Sequence, residues 1–163
     1  MLGVFIGGHD NKIDSKGRLS IPADFRRILE EGDPKWEPGK LASMHILIGD
    51  DRRDYLEVMS VSRMLRNAEK IFAMDAGRKR MDLENLYFTN AITATVDTTG
   101  RIVLPAKVRQ AKQLGAEVRL AGKGQTFYIF DEGVYDPDRA LSLVAPEEGY
   151  DERLDAATYM PGD

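Results

Sequence analysis

The stretch NKIDSKGRLSIPADFR, residues 11–26, aligns without a gap with ATVDTTGRIVLPAKVR, residues 94–109. Six of the sixteen columns are identical, and four more pair one apolar residue with another. Agreement of this kind marks an internal repeat, so the chain contains two copies of one small module. The predicted organisation is a first module at 4–60, connecting helices at 61–90, a second module at 91–131 and an acidic tail at 132–163.

Each copy contains the motif Asp-x-x-Gly-Arg, which is typical of a tight hairpin. Asp14 and Asp97 are expected to accept hydrogen bonds from the backbone just ahead of them. Gly17 and Gly100 are expected to adopt the positive φ that closes such a turn. The motif therefore predicts two equivalent turns, in which the aspartates and glycines serve the fold.

The remaining elements follow from proline positions and apolar periodicity. In chain order, the sequence predicts a helix at 23–29, strands at 45–48 and 55–58, helices at 61–72 and 82–88, a helix at 106–114, and strands at 118–121 and 126–130. Residues 30–43 are expected to form an exposed loop that carries Trp36. The basic triplet at 78–80 is expected to be a solvated loop, with a phosphate contact as the alternative. The predicted class is mixed α/β and rich in strands.

The net charge of −4 is unevenly distributed along the chain. Residues 131–163 contain ten acidic and two basic residues, so that segment has a charge of −8 and residues 1–130 a charge of +4. Acidic tails usually solvate a terminus or contact a partner. The body of the protein is therefore basic enough for a polyanionic partner.

Other functional classes find little support in the composition. The chain has no cysteine, which excludes disulfides and thiolate metal sites and suits a reducing cytoplasm. Its two histidines, His9 and His45, have no metal-ligand spacing, and no nucleophile motif is present. No apolar run approaches the length of a membrane span. We therefore expect a cytoplasmic protein that is not an enzyme and has no cofactor, metal, membrane contact or small-molecule substrate.

Two arginines, Arg18 and Arg101, follow the glycines of the predicted turns. A guanidinium at a hairpin tip can take a phosphate, or the O6/N7 edge of guanine, in two hydrogen bonds. Further basic residues expected to neutralise the DNA backbone around the first tip are Lys12, Lys16, Arg26 and Arg27. The second tip has Thr98 and Thr99 instead, so copy one is expected to contribute more of the binding.

The sequence resembles the MraZ family in three segments, namely Phe5-x-Gly7, residues 13–22 and residues 96–105. MraZ proteins are tandem members of the AbrB/SpoVT-like swapped-hairpin superfamily, and the resemblance spans residues 4–131. It implies two AbrB-like β-α-β modules that interlock as an intrachain pseudo-dimer, in a double-ψ, barrel-like arrangement with flanking helices. The chain departs from the family in its enlarged 30–43 loop, in Phe130 where tryptophan is frequent, and in its acidic tail.

The resemblance also implies a function. It points to a nucleoid-associated transcriptional repressor that binds double-stranded DNA repeats upstream of the division and cell-wall gene cluster, including its own promoter. A ring-like homo-oligomer is implied, with Asp14, Arg18, Asp97 and Arg101 as the motif residues of its DNA-reading face. The alternatives are an AbrB-like antitoxin, which usually has one module, and a structural scaffold protein whose tips bind no DNA.

Overall fold

The computed structural model describes residues 3–134, 145 and 147–162. The strands and helices are β1 (Gly8–Lys12), β2 (Arg18–Ser20), α1 (Ala23–Glu31), β3 (Ser43–Leu47), β4 (Tyr55–Ser60), α2 (Val61–Phe72), α3 (Arg78–Glu84), β5 (Ala91–Thr95), β6 (Arg101–Val103), α4 (Ala106–Ala111), β7 (Glu117–Gly122) and β8 (Phe127–Asp131). A π-helical turn at Asn85–Thr89 and a 3₁₀ turn at Ala156–Tyr159 complete the described elements. The predicted mixed, strand-rich class is confirmed.

The main sheet has six antiparallel strands in the order β1-β7-β8-β4-β3-β5, in which a hairpin of each copy is flanked by strands of the other copy. The first strand of each copy pairs with the opposite copy, because β1 lies against β7 and β5 lies against β3. The two copies meet again at the centre of the sheet, where β4 pairs with β8. The strand order is therefore symmetric about the β4–β8 pair, and neither copy forms its part of the sheet alone.

Strands β2 and β6 pair with each other as a separate two-stranded antiparallel ribbon, and Leu19 of β2 also forms a single β-bridge with Ile13. Each is three residues long and is followed by a proline, Pro22 or Pro105, which has no N–H to continue the ladder. The ribbon does not connect the edge strands β1 and β5, so the sheet stays open. The expected barrel-like closure is therefore not present among the described strands.

The core lies between the sheet, the ribbon and α1. Three rings from distant parts of the chain meet in it, with centroids 5.2 Å apart for Phe5 and Phe25 and 4.8 Å apart for Phe25 and Phe127. Leu19 and Ile102, one from each ribbon strand, are also buried. Burial of each such side chain stabilises the folded state by about 1.5–3 kcal/mol relative to leaving it exposed. The inner side of the ribbon is thereby fixed to the body, so its outer side has a defined orientation.

Three segments differ from the sequence expectations. The basic triplet at 78–80 begins α3 and is not a loop. Helix α4 ends at Ala111, because Gln113 adopts a positive φ of 52°. The 30–43 segment is more ordered than expected: the Asp33 carboxylate is buried and accepts the N–H of Ser43 at 2.9 Å, while Trp36 packs against the core.

Candidate nucleic-acid interface

Tip one, residues 13–18, is a hairpin closed by Asp14. Asp14 Oδ1 accepts hydrogen bonds of 2.9 Å from the backbone N–H groups of both Lys16 and Arg18. Gly17 has a φ of +84°, and its N–H donates to the Asp14 carbonyl at 2.9 Å. The other carboxylate oxygen, Oδ2, pairs with Nε of Arg18. One aspartate therefore both closes the turn and holds the arginine.

Tip two, residues 96–101, has the same backbone with a different brace. Asp97 Oδ1 accepts the backbone N–H groups of Thr99 at 2.8 Å and Arg101 at 2.9 Å, and Gly100 has a φ of +81°. Arg101 Nε donates to the Thr99 hydroxyl at 2.8 Å, while the Asp97 carboxylate lies 3.5 Å away. The arginine of tip two is therefore held mainly through a hydroxyl group.

Both tip aspartates are stabilised in their ionised form. The backbone N–H of Arg18 is the largest cause of the lowered pKa of Asp14. For Asp97, the backbone N–H of Arg101 and then the Thr99 hydroxyl lower the pKa to about 2. Hydrogen bonds donated to a carboxylate favour its charged form. The braces on both arginines are thus present throughout the neutral pH range.

The ribbon turns one face to solvent. Its register pairs Arg18 with Val103, Leu19 with Ile102 and Ser20 with Arg101. Because side chains alternate along a strand, the buried Leu19 and Ile102 lie on the inner face and the other four residues on the outer face. Arg18 and Arg101 are diagonal neighbours there, a relation that typically separates residues by about 7–8 Å. Each arginine side chain is about one-third exposed.

Both arginines have donors left for a ligand. Among the described residues, their hydrogen bonds use only Nε. The Nη1 and Nη2 groups of Arg18 and Arg101 therefore form two planar forks on one outer face. An antiparallel ribbon of two strands has the dimensions that fit the DNA major groove. The outer face combines this shape with donors suited to a base edge or a phosphate.

The other basic residues singled out from the sequence are dispersed. Lys16 is exposed at tip one, beside the ribbon. Lys12 lies on the face of β1 opposite to Asn11, whose side-chain amide donates to the Ser20 carbonyl in the ribbon at 2.8 Å. Arg27 is exposed on α1, 3.9 Å from the Asp24 carboxylate. Of these three, only Lys16 adjoins the arginine pair directly.

Arg26, which was expected to neutralise the DNA backbone around tip one, lies beside tip two. Its Nε is buried and is the one buried side-chain nitrogen or oxygen among the described residues that lacks a hydrogen-bond partner. Its guanidinium lies against Gly100 of tip two, in the opposite copy. Arg26 is therefore half-buried, with its guanidinium against the opposite copy.

Sequence reasoning missed two exposed residues that follow tip two in the chain. Val103 is 55% exposed on the outer face of the ribbon, although the run Ile102-Val103-Leu104 reads as continuously apolar. Lys107 is exposed on α4, at the repeat position that Asp24 occupies in copy one. The alignment of the two copies could have indicated both residues, because it matches Val103 with the polar Ser20 and Lys107 with Asp24.

Within the part of the chain that the structure describes, no group of three or more His, Cys, Asp or Glu residues is arranged to hold a metal ion. No helix there has the length and apolar character needed to cross a bilayer. The fold and the exposed ribbon define an internally duplicated, strand-swapped protein that presents paired arginines.

Comparisons with known proteins identify the family. A family model described as "MraZ protein, putative antitoxin-like" matches residues 87–137. The "Transcriptional regulator MraZ" of a Ruegeria species is 44% identical over 133 residues, which cover 81% of this chain and 80% of that protein. The protein of the same name from Ruegeria pomeroyi is 39% identical over 162 residues, covering 97% and 95%. The chain belongs to the MraZ family.

Membership of this family places the chain among transcriptional regulators. The family expected from the repeated motif is confirmed. The prediction that the protein is not an enzyme is confirmed as well, because its relatives are named as regulators, a non-enzymatic class.

Proposed function

We propose that the protein is a repressor that binds double-stranded DNA repeats upstream of the division and cell-wall gene cluster, including its own promoter. In this proposal the ribbon enters the major groove, and Arg18 and Arg101 bind the edges of bases. Lys16 contacts phosphate beside tip one, with Lys12 and Arg27 as peripheral contacts. Such binding keeps the protein with the nucleoid.

The observation that carries this proposal is the outer face of the ribbon. Two diagonal arginines share it, each braced through Nε with both Nη groups left for a ligand. A braced guanidinium loses less conformational freedom on binding than a mobile one. Val103 adds an apolar surface of the kind that contacts a thymine methyl group.

We also propose that the two copies are AbrB/SpoVT-like swapped-hairpin modules that form an intrachain pseudo-dimer. The strand order supports this, since each copy supplies the edge strand beside the other copy's hairpin. The symmetry of the pairing gives two tips in equivalent positions. Two half-sites within one DNA repeat would match that arrangement.

Tight binding in this proposal requires assembly into a ring-like homo-oligomer. The charge of the body, +4 for residues 1–130, is modest for a protein that binds a polyanion. Several subunits bound to successive repeats raise the effective concentration of every further tip. The affinity should therefore depend on the number of repeats and steeply on salt.

The decisive experiment is a titration of the protein against its own upstream DNA carrying one, two or three repeats. A scrambled duplex of equal length serves as the control, and light scattering reports the size of the assembly. We expect affinity to rise with repeat number by much more than the added sites alone provide. Deleting residues 136–163, a mainly acidic segment, should leave binding intact or strengthen it.

Two results would contradict the proposal. A protein that binds the scrambled duplex as tightly as the repeats has no sequence-specific DNA function, and a scaffold role would then fit better. A monomer that binds one repeat as tightly as three would remove the role of assembly.

A further inference from the structure

Each hairpin tip is hydrogen bonded to the opposite copy. The carbonyl of Gly17 in tip one accepts the N–H of Leu104 at 2.8 Å, and the carbonyl of Gly100 in tip two accepts the N–H of Ile21 at 3.0 Å. Leu104 and Ile21 occupy the same position in the two repeats, immediately before the proline that follows the ribbon strand. The contact is therefore reciprocal.

An arginine follows each of these amides by five residues and packs beneath the same tip. A Cβ placed on Gly100 would lie 2.8 Å from Cζ of Arg26, so this guanidinium fills the space that a side chain at residue 100 would need. A Cβ on Gly17 would meet the Leu104 carbonyl oxygen first and would lie 3.2 Å from Nε of Arg109, which itself donates to that carbonyl at 3.0 Å. Arg26 and Arg109 are also the last identical pair of the repeat alignment.

We propose that Arg26 and Arg109 are positioning residues that act across the two copies. Arg26 supports tip two and so sets the orientation of Arg101, while Arg109 supports tip one and sets that of Arg18. The buried, unpartnered Nε of Arg26 fits packing beneath a turn better than contact with a phosphate. A planar guanidinium under a glycine is a support that neither lysine nor alanine reproduces. Part of this proposal, its effect on DNA, rests on the proposed function.

The first test measures amide hydrogen exchange by NMR and needs no DNA. In Arg26→Ala, the exchange rates of the Thr99 and Arg101 amides should rise about tenfold, because tip two opens locally, while those of Lys16 and Arg18 stay within about twofold. Arg109→Ala should show the reverse pattern. Arg66→Ala, which removes an exposed arginine from α2, is the matched control and should change neither tip.

A conservative variant covers the case in which Arg26→Ala does not fold. Arg26→Lys keeps the charge and the alkyl stem but lacks the planar fork, so it should also release tip two. If either Arg26 variant opened tip one, both tips equally or neither tip, the positioning role would be refuted.

The second test is a pair of double-mutant cycles on DNA affinity. Adding Arg26→Ala to Arg101→Ala should cause little further loss, because tip two has already lost its contact. Adding Arg26→Ala to Arg18→Ala should multiply the two losses. If the affinity losses of Arg26→Ala and Arg101→Ala multiplied in the double variant, the proposal would be contradicted. If the wild-type protein bound no DNA at all, the proposed function would fail, while the exchange measurements would still decide the role of Arg26.

Discussion

Tip one and tip two share a backbone and differ in how each holds its arginine. In tip one the Asp14 carboxylate pairs directly with Nε of Arg18, whereas in tip two the Thr99 hydroxyl accepts that bond from Arg101. The residue of tip one that matches Thr99 is Lys16, whose side chain is exposed. The comparison teaches that one position of a repeated turn can supply either a charge for a partner or a brace for its neighbour.

The tips also differ in what lies beneath their glycines. A side chain at residue 17 would meet the backbone carbonyl of Leu104, whereas one at residue 100 would meet the guanidinium of Arg26. A backbone carbonyl cannot move without disturbing the ribbon, but a long side chain can rotate away. Tip one is therefore the more rigidly enclosed of the two.

The largest expected difference between the tips is in the response to alanine at these glycines. Both sites require a left-handed φ, which costs about 1–2 kcal/mol for a residue with a Cβ. Gly17→Ala adds an overpacking cost of about 1–3 kcal/mol against Leu104. We expect denaturant unfolding to show a total loss of about 2–5 kcal/mol for Gly17→Ala and about 1–2 kcal/mol for Gly100→Ala. Equal losses would mean that the two enclosures are equivalent.

The second difference concerns the arginines themselves. Arg18→Ala should weaken operator binding by about 1–3 kcal/mol per site, the value of one bidentate base contact. Arg101→Ala should cost less, because tip two lacks a neighbour like Lys16. Gel shifts measure the affinities, and circular dichroism checks that the variants fold. Arg18→Lys is the matched control: it keeps the charge, so recovery of full affinity would exclude bidentate recognition.

A third variant makes tip two resemble tip one in charge. Thr99→Lys adds a cation beside the ribbon and removes the hydroxyl that braces Arg101. The salt dependence of operator binding should steepen by about 0.9 per added phosphate contact, with little gain in affinity because the brace is lost. Thr98→Lys adds the same charge and keeps the brace, so it should gain more affinity. An equal gain from both variants would show that the brace has no effect on binding.

The smallest expected effect appears only in acid. Asp97 has a pKa lowered to about 2 in the folded chain, against an ordinary value of 3.8. A carboxyl with a depressed folded pKa stabilises the fold above its unfolded pKa, and that contribution is lost as the pH falls from about 4 towards 2. Carboxyl ¹³C titration of wild type and Thr99→Ala should show the pKa of Asp97 rising in the variant. An unchanged pKa, matching that of the Thr98→Ala control, would mean that the threonine hydroxyl does not stabilise the carboxylate.

The elements that the sequence predicted well are those determined by neighbouring residues. The Asp-x-x-Gly-Arg motif predicted both turns, because its hydrogen bonds join residues two to four positions apart. Apolar periodicity likewise predicted α2, whose cap is the Ser60 hydroxyl accepting the N–H of Arg63. Local chemistry was sufficient for these features.

Features that depend on distant pairing could not be read from the sequence in this way. Arg26 was expected beside its own tip, yet it packs beneath the tip of the other copy, because strands of each copy flank a hairpin of the other in the sheet. The pairing of β2 with β6 likewise joins segments about eighty residues apart. No local pattern records which of several possible strands becomes a partner.

The strand order of the main sheet has a consequence for synthesis on the ribosome. Strand β1 is made well before its partner β7, which lies about a hundred residues later, since Lys12 pairs with Glu117. The first module therefore leaves the ribosome with an unpaired strand edge, and contacts so distant in sequence form slowly. Until the second module has emerged, that edge is open to strands of neighbouring nascent chains. A chaperone that covers nascent strands would act on this protein before β7 is translated.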